Sequence, residues 1–113
     1  YDYEKRCVAG DMYMIRQIVM WNNKEEFNEE QQAQNAQIVK TELESLTDKI
    51  SGIISLHVIT NPLASSNRQV VLNSLFESEE HLQQYQIHAD HVRVSQFVGS
   101  LMTDRICMDF EEN

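Results

Sequence analysis

A chain of 113 residues fits one domain. At that size folding hides only about two-thirds of the surface, so the core is thin and oligomerisation adds what one core lacks. Nine basic against eighteen acidic residues give a formal net charge of −9, a field that repels phosphate backbones and anionic membrane surfaces, which excludes nucleic acid and membranes as default partners.

Residues 1–13 are polar and mixed, with a Gly10-Asp11 turn signal and no period. The opening Tyr1-Asp2-Tyr3-Glu4 builds no apolar h-region, so no signal peptide is expected there. Met14 begins Met14-Ile15-Arg16-Gln17-Ile18-Val19-Met20-Trp21, rich in β-branched and aromatic residues, which predicts the first strand. Both of its faces are largely apolar, so both need cover. One helix layer covers only one of them, and a second subunit explains the other better than a folded-over N-terminal arm.

Asn22 to Gln34 reads as a loop and the entry to a helix, whose apolar stripe is Ala36, Val39, Leu43, Leu46 and Ile50. Gly52 ends that pattern. Ile53 to Thr60 is strongly β-forming and stops at Asn61-Pro62. Gln69 to Phe76 is the next strand, and the short polar link between the two predicts an antiparallel hairpin.

Ser78 is a good N-cap for a short helix carrying Leu82 and Tyr85, and Asp90 is expected to cap another. Val94, Phe97, Val98 and Leu101 form the apolar stripe of that last helix. Residues 103–110 alternate again, with Ile106, Met108 and Phe110 on one side. Cys7 and Cys107 make no metal or redox spacing; Cys107, in an apolar run, is expected to be a buried reduced thiol. With no disulfide framework and no apolar run of the roughly 20 residues that span a bilayer, a cytoplasmic, soluble protein is expected.

The order is strand, helix, strand, strand, helix pair, strand. It predicts an α+β, ferredoxin-like plan: a four-stranded antiparallel sheet with helices on one face. The other face is left for a partner copy.

In this order the segments resemble the stress-responsive dimeric α/β-barrel (Dabb) family. The resemblance is carried by residues 14–21, Asn61-Pro62, Phe76-Glu77-Ser78, Tyr85-Gln86-Ile87-His88-Ala89-Asp90-His91 and Thr103-Asp104-Arg105-Ile106-Cys107-Met108-Asp109-Phe110. It covers about residues 14–110 and implies a homodimer whose two sheets pack into a barrel. Similar chains often have His at the place of Gln17, and a Pro where Ser51 precedes Gly52. They also begin near Met14, so residues 1–13 read as an extension dispensable for the fold, with the domain at 14–113.

Tyr85, His88 and His91 form the one cluster that suggests chemistry. An imidazole with an ordinary pKa of about 6.5 exchanges protons at neutral pH, and a tyrosine hydroxyl orients a carbonyl or enolate. Some plant members of the resembled family are polyketide cyclases with Tyr and His at the positions of Tyr85 and His91. The resemblance thus points to these two as catalytic candidates. Gln17, His88, Val94, Phe97 and Val98 are the candidate ligand-binding wall of an apolar cavity.

The competing reading makes the histidines structural caps and Tyr85 a core aromatic, in a non-catalytic dimeric scaffold. A cofactor-free monooxygenase remains a fold-level analogy. His88, His91 and the more distant His57 offer metal nitrogens, but a catalytic zinc takes three protein ligands and only two are local. No metal and no cofactor are expected; a small carbonyl or aromatic compound is the expected ligand.

Overall fold

The computed structural model describes residues 13–113. The expectations for the N-terminal extension and for Cys7 therefore fall almost entirely outside the described residues. Four strands, β1 (Met14–Asn23), β2 (Ile53–Ile59), β3 (Val70–Phe76) and β4 (Met102–Glu112), form one antiparallel sheet in the order β2-β3-β1-β4. Three α-helices, α1 (Glu29–Glu44), α2 (Glu79–Ile87) and α3 (Ala89–Leu101), complete the expected ferredoxin-like plan.

Strict alternation places Ile15, Gln17, Val19 and Trp21 of β1 under the helices. From β3 come Val70, Leu72, Ser74 and Phe76, and from β2 Leu56 and Val58. The helices answer with Ala36, Val39, Leu43, Leu82, Tyr85, Val94 and Val98, all buried.

Helix α1 starts at Glu29, inside the expected Asn22–Gln34 entry and seven residues ahead of the apolar stripe that begins at Ala36. Asn28 accepts from the Gln31 amide, and the Gln31 side chain returns to the Asn28 N–H. This capping box fixes a turn whose outward residues are all polar. After Glu44 the chain tightens into a 3-10 turn, Ser45–Asp48, that buries Leu46.

The end of α1 also protects the edge strand β2. Lys40 Nζ donates to the Val58 carbonyl (2.8 Å) and the Val58 N–H donates to the Glu44 carboxylate (2.9 Å), satisfying backbone groups that an edge leaves open.

Ser78 caps α2 as expected, accepting from the His81 N–H. The cap of α3 is a correction. His88, not Asp90, is its N-cap: the extended backbone of His88 turns the chain, and its Nδ1 accepts from the Asp90 N–H at 3.1 Å. One residue thus separates the two helices, and Asp90 sits in the first turn, where its charge suits the helix dipole.

The sheet face away from the helices carries Ile18, Met20, Val71, Leu75, Ile59, Ile106, Met108 and Phe110. Met108 is 66% exposed and Ile59 48%. Within it Arg16 forks onto Glu112 and also donates to Asn73 Oδ1 (2.9 Å). His57 is exposed on this same face, opposite Asn73 and away from His88 and His91. Cys107 is a second correction. It points to the helix side, opposite Val19, but β4 is an edge strand beyond the helices' cover, so the thiol is exposed. Among the described residues no helix is long and apolar enough to cross a membrane.

Candidate functional site

Helix α2 delivers Tyr85 and the first turn of α3 delivers His91, because the single-residue His88 corner folds the two helices back on each other. Tyr85 is 1% exposed and sits between two rings. Phe76 lies at a centroid distance of 4.8 Å and His91 at 4.1 Å, with interplanar angles of 56° and 40°. The Tyr85 hydroxyl is sealed from solvent and has no hydrogen-bond partner among the described residues. A stranded buried hydroxyl costs about 1–3 kcal/mol, so its retention calls for a reason.

The half-buried His91 directs Nδ1 at the Gln86 carbonyl, 3.2 Å away. A carbonyl only accepts, so the neutral ring carries its proton on Nδ1 and keeps the Nε2 lone pair free. Burial pulls the imidazole pKa below its ordinary value, and the positive charge of Arg105 pulls in the same direction against the Gln86 bond. Burial pushes the Tyr85 phenol up, opposed in part by Arg105. Both groups are therefore neutral at pH 7: a free imidazole base beside a phenol that keeps its proton.

These two residues line a cavity of about 340 Å³ between the sheet and the helices. Gln17, Val19, Trp21 and Leu72 form its floor on the sheet, and Leu43 and Val98 contribute from α1 and α3. Its mouth is made by Ser95, Gly99 and the start of β4, from Met102 to Arg105. Gln17 is 4% exposed and donates from Nε2 to Asp109 Oδ1 at 3.0 Å.

Of the expected site residues, the structure gathers Tyr85, His91, Gln17 and Val98 around this space. Three others stand elsewhere. His88 is spent on the α3 cap, with its Nδ1 as acceptor. Val94 is fully buried but does not reach the cavity wall, and Phe97 turns outward, 38% exposed. Helix α3 presents Val94 and Val98 inward, and the i+3 position of Phe97 falls on the rim of that stripe.

Trp21 and Arg105 were not expected in the wall. Both were readable: Trp21 shares a β1 face with Gln17, and Arg105 alternates with Cys107 and Asp109 on the side of β4 opposite Ile106, Met108 and Phe110. Among the described residues no three His, Cys, Asp or Glu side chains group as a metal site.

Solved structures share this fold. A dimeric protein of unknown function from Bacteroides fragilis aligns with a TM-score of 0.80 at 24% identity, over 88% of this chain and 96% of its own. A dimeric ferredoxin-like protein from Thermobifida fusca gives 0.75 at 20%, over 88% and 92%. The hydroxynitrile lyase of Passiflora edulis gives 0.76 at 9%, over 90% and 95%. No curated protein matches the sequence. Residues 15–112 match the Stress responsive A/B Barrel Domain family, and that match, spanning the whole sheet and its helices, makes this chain a member of it.

Proposed function

We propose that this chain is a homodimeric acid–base protein that binds a small carbonyl or aromatic compound between sheet and helices. The observation that carries the reading is the orphaned Tyr85 hydroxyl beside a His91 whose Nε2 is free, the two residues lining a cavity that Val19, Trp21, Leu43 and Leu72 make apolar on one side. With a small movement of the wall around Tyr85, a ligand carbonyl supplies the missing acceptor. The phenol donates to that oxygen, and the imidazole takes a proton from the adjacent carbon. The charge that develops on the oxygen is met by the phenol in a site shielded from water. The same architecture carries an enzyme in Passiflora edulis, the hydroxynitrile lyase, which is compatible with chemistry in this pocket.

The second copy covers the open sheet face. That face presents eight large apolar side chains, more than a soluble monomer ordinarily leaves contiguous, and neighbours from Bacteroides fragilis and Thermobifida fusca are themselves dimeric. A dimer built there leaves the cavity, on the opposite side of the sheet, accessible.

Exchange of the methyl protons of acetophenone in D₂O, followed by NMR, tests the chemistry. The protein should accelerate it, and His91→Ala should abolish the acceleration while remaining folded. Equal exchange with both proteins would leave the pocket without an acid–base role.

A further inference from the structure

Strand β4 breaks its register beside the cavity. Ile106 pairs with Met20 and Thr103 with Asn22, so Trp21 stands opposite two residues, Asp104 and Arg105. Asp104 takes the left-handed conformation (φ 56°), uncommon for a non-glycine residue and characteristic of one kind of β-bulge. A regular strand sends alternate side chains to opposite faces. Here Thr103, Asp104 and Arg105 line the cavity consecutively. The bulge brings Asp104 to the cavity beside Arg105, which plain alternation with Cys107 and Asp109 already turns to the helix side.

The two charges that meet at this point of β4 have different company. The Asp104 carboxylate accepts from Asn22 Nδ2 at 3.1 Å, and the Asp104 carbonyl accepts from Arg68 Nε at 3.1 Å. Arg105 forms no ion pair among the described residues, although the chain holds twice as many acidic as basic residues. Its side-chain contact is the Cys107 sulfur, a weak acceptor. Five guanidinium donors therefore stand largely unspent at the mouth of the cavity that Tyr85 lines. Arg105 is also near enough for its charge to act on both Tyr85 and His91.

We propose that the ligand of this cavity is a keto acid, an apolar or aromatic body with a carbonyl and a carboxylate, and that Arg105 holds the carboxylate at the cavity mouth. This rests on the carbonyl-binding reading given above and adds the ligand's charge and the residue that reads it. A planar guanidinium matches a carboxylate with two parallel donors, which a lysine cannot reproduce. Binding there fixes one end of the molecule, so its carbonyl is presented to Tyr85 and its acidic carbon to His91. The role of Arg105 is positioning and selection, with no proton transferred through it.

Trp21 lines the cavity and is the sole tryptophan, so its fluorescence reports occupancy directly. The probes are benzoylacetate and its methyl ester, which differ by the charge and one methyl group. The acid should bind about tenfold or more tightly than the ester, the scale of a charge-assisted pair, and its affinity should fall with added salt. Arg105→Gln should erase the preference by weakening the acid alone, and Arg105→Lys should restore only part of it. Arg105 is exposed, so these variants should keep the parent's thermal midpoint. Equal binding of acid and ester, or a preference that survives Arg105→Gln, would overturn the proposal and leave the carbonyl-binding reading intact. Failure of both probes to perturb Trp21 at millimolar concentration would overturn that reading and the proposal with it.

Discussion

The imidazole of His91 lies against the ring of Tyr85, centroids 4.1 Å apart and planes inclined by 40°. The contact has a chemical consequence as well as a packing one. Each ring helps keep water from the other, and desolvation favours the neutral form of both. A depressed imidazole and a raised phenol are the protonation states that a base and a hydrogen-bond donor need at neutral pH.

The titration of His91 has a defined sign. Its folded pKa lies below the ordinary value of about 6.5, so below pH 6.5 the unfolded chain binds the proton more readily. The stability contributed by neutral His91 is full above about pH 6.5 and is lost as pH falls toward the folded value. Urea unfolding at a series of pH values should show a decline on acidification that is shallower in His91→Gln. By NMR, Arg105→Gln should raise the His91 pKa; an unchanged value would place the guanidinium away from the ring.

Met20 and Val19 are neighbours with opposite fates: Val19 is 2% exposed in the core, while Met20 points to the open sheet face. Met20→Asp should leave the fold intact and weaken the dimer at least about a hundredfold, close to 3 kcal/mol, because it strands a charge in an apolar interface. Sedimentation of the parent and variant at micromolar concentration reads this directly. Val19→Asp should instead unfold the protein.

Gly52 holds φ at 89°, and a Cβ there would collide with the His81 imidazole. Gly52→Ala should cost about 1–3 kcal/mol in denaturant unfolding. The double variant with His81→Ala should recover the steric part of that loss and leave the backbone part.

What was legible in the sequence follows from what is periodic. The alternation in β1 and the stripes Val39–Leu43 and Leu82–Tyr85 face a packed core, so burial wrote them into the composition. The first turns of α1 carried no such signal, because Glu29 to Asn35 mostly face water and the Asn28–Gln31 box that starts them is wholly polar. The α3 cap was misplaced because aspartate is a better capping residue by preference, whereas here an imidazole nitrogen does that work. Tyr85, His91 and Gln17 could be placed at one cavity from their elements alone. The alternation of β4 also indicates the side of Arg105; what it could not indicate is that Asp104 and Thr103 join it at the cavity, since a one-residue register shift sets their direction.

The central claim is that the Tyr85 hydroxyl is kept for a ligand and not for the fold, and Tyr85→Phe tests it most directly. Two quantities are to be read on the same protein: unfolding free energy in urea and quenching of Trp21 by acetophenone. Removing a stranded hydroxyl should leave stability unchanged or raise it by about 1 kcal/mol, while acetophenone binding is lost. A variant that loses 1 kcal/mol or more of stability and still binds acetophenone as the parent does would show the hydroxyl to be a structural group, and would contradict the account.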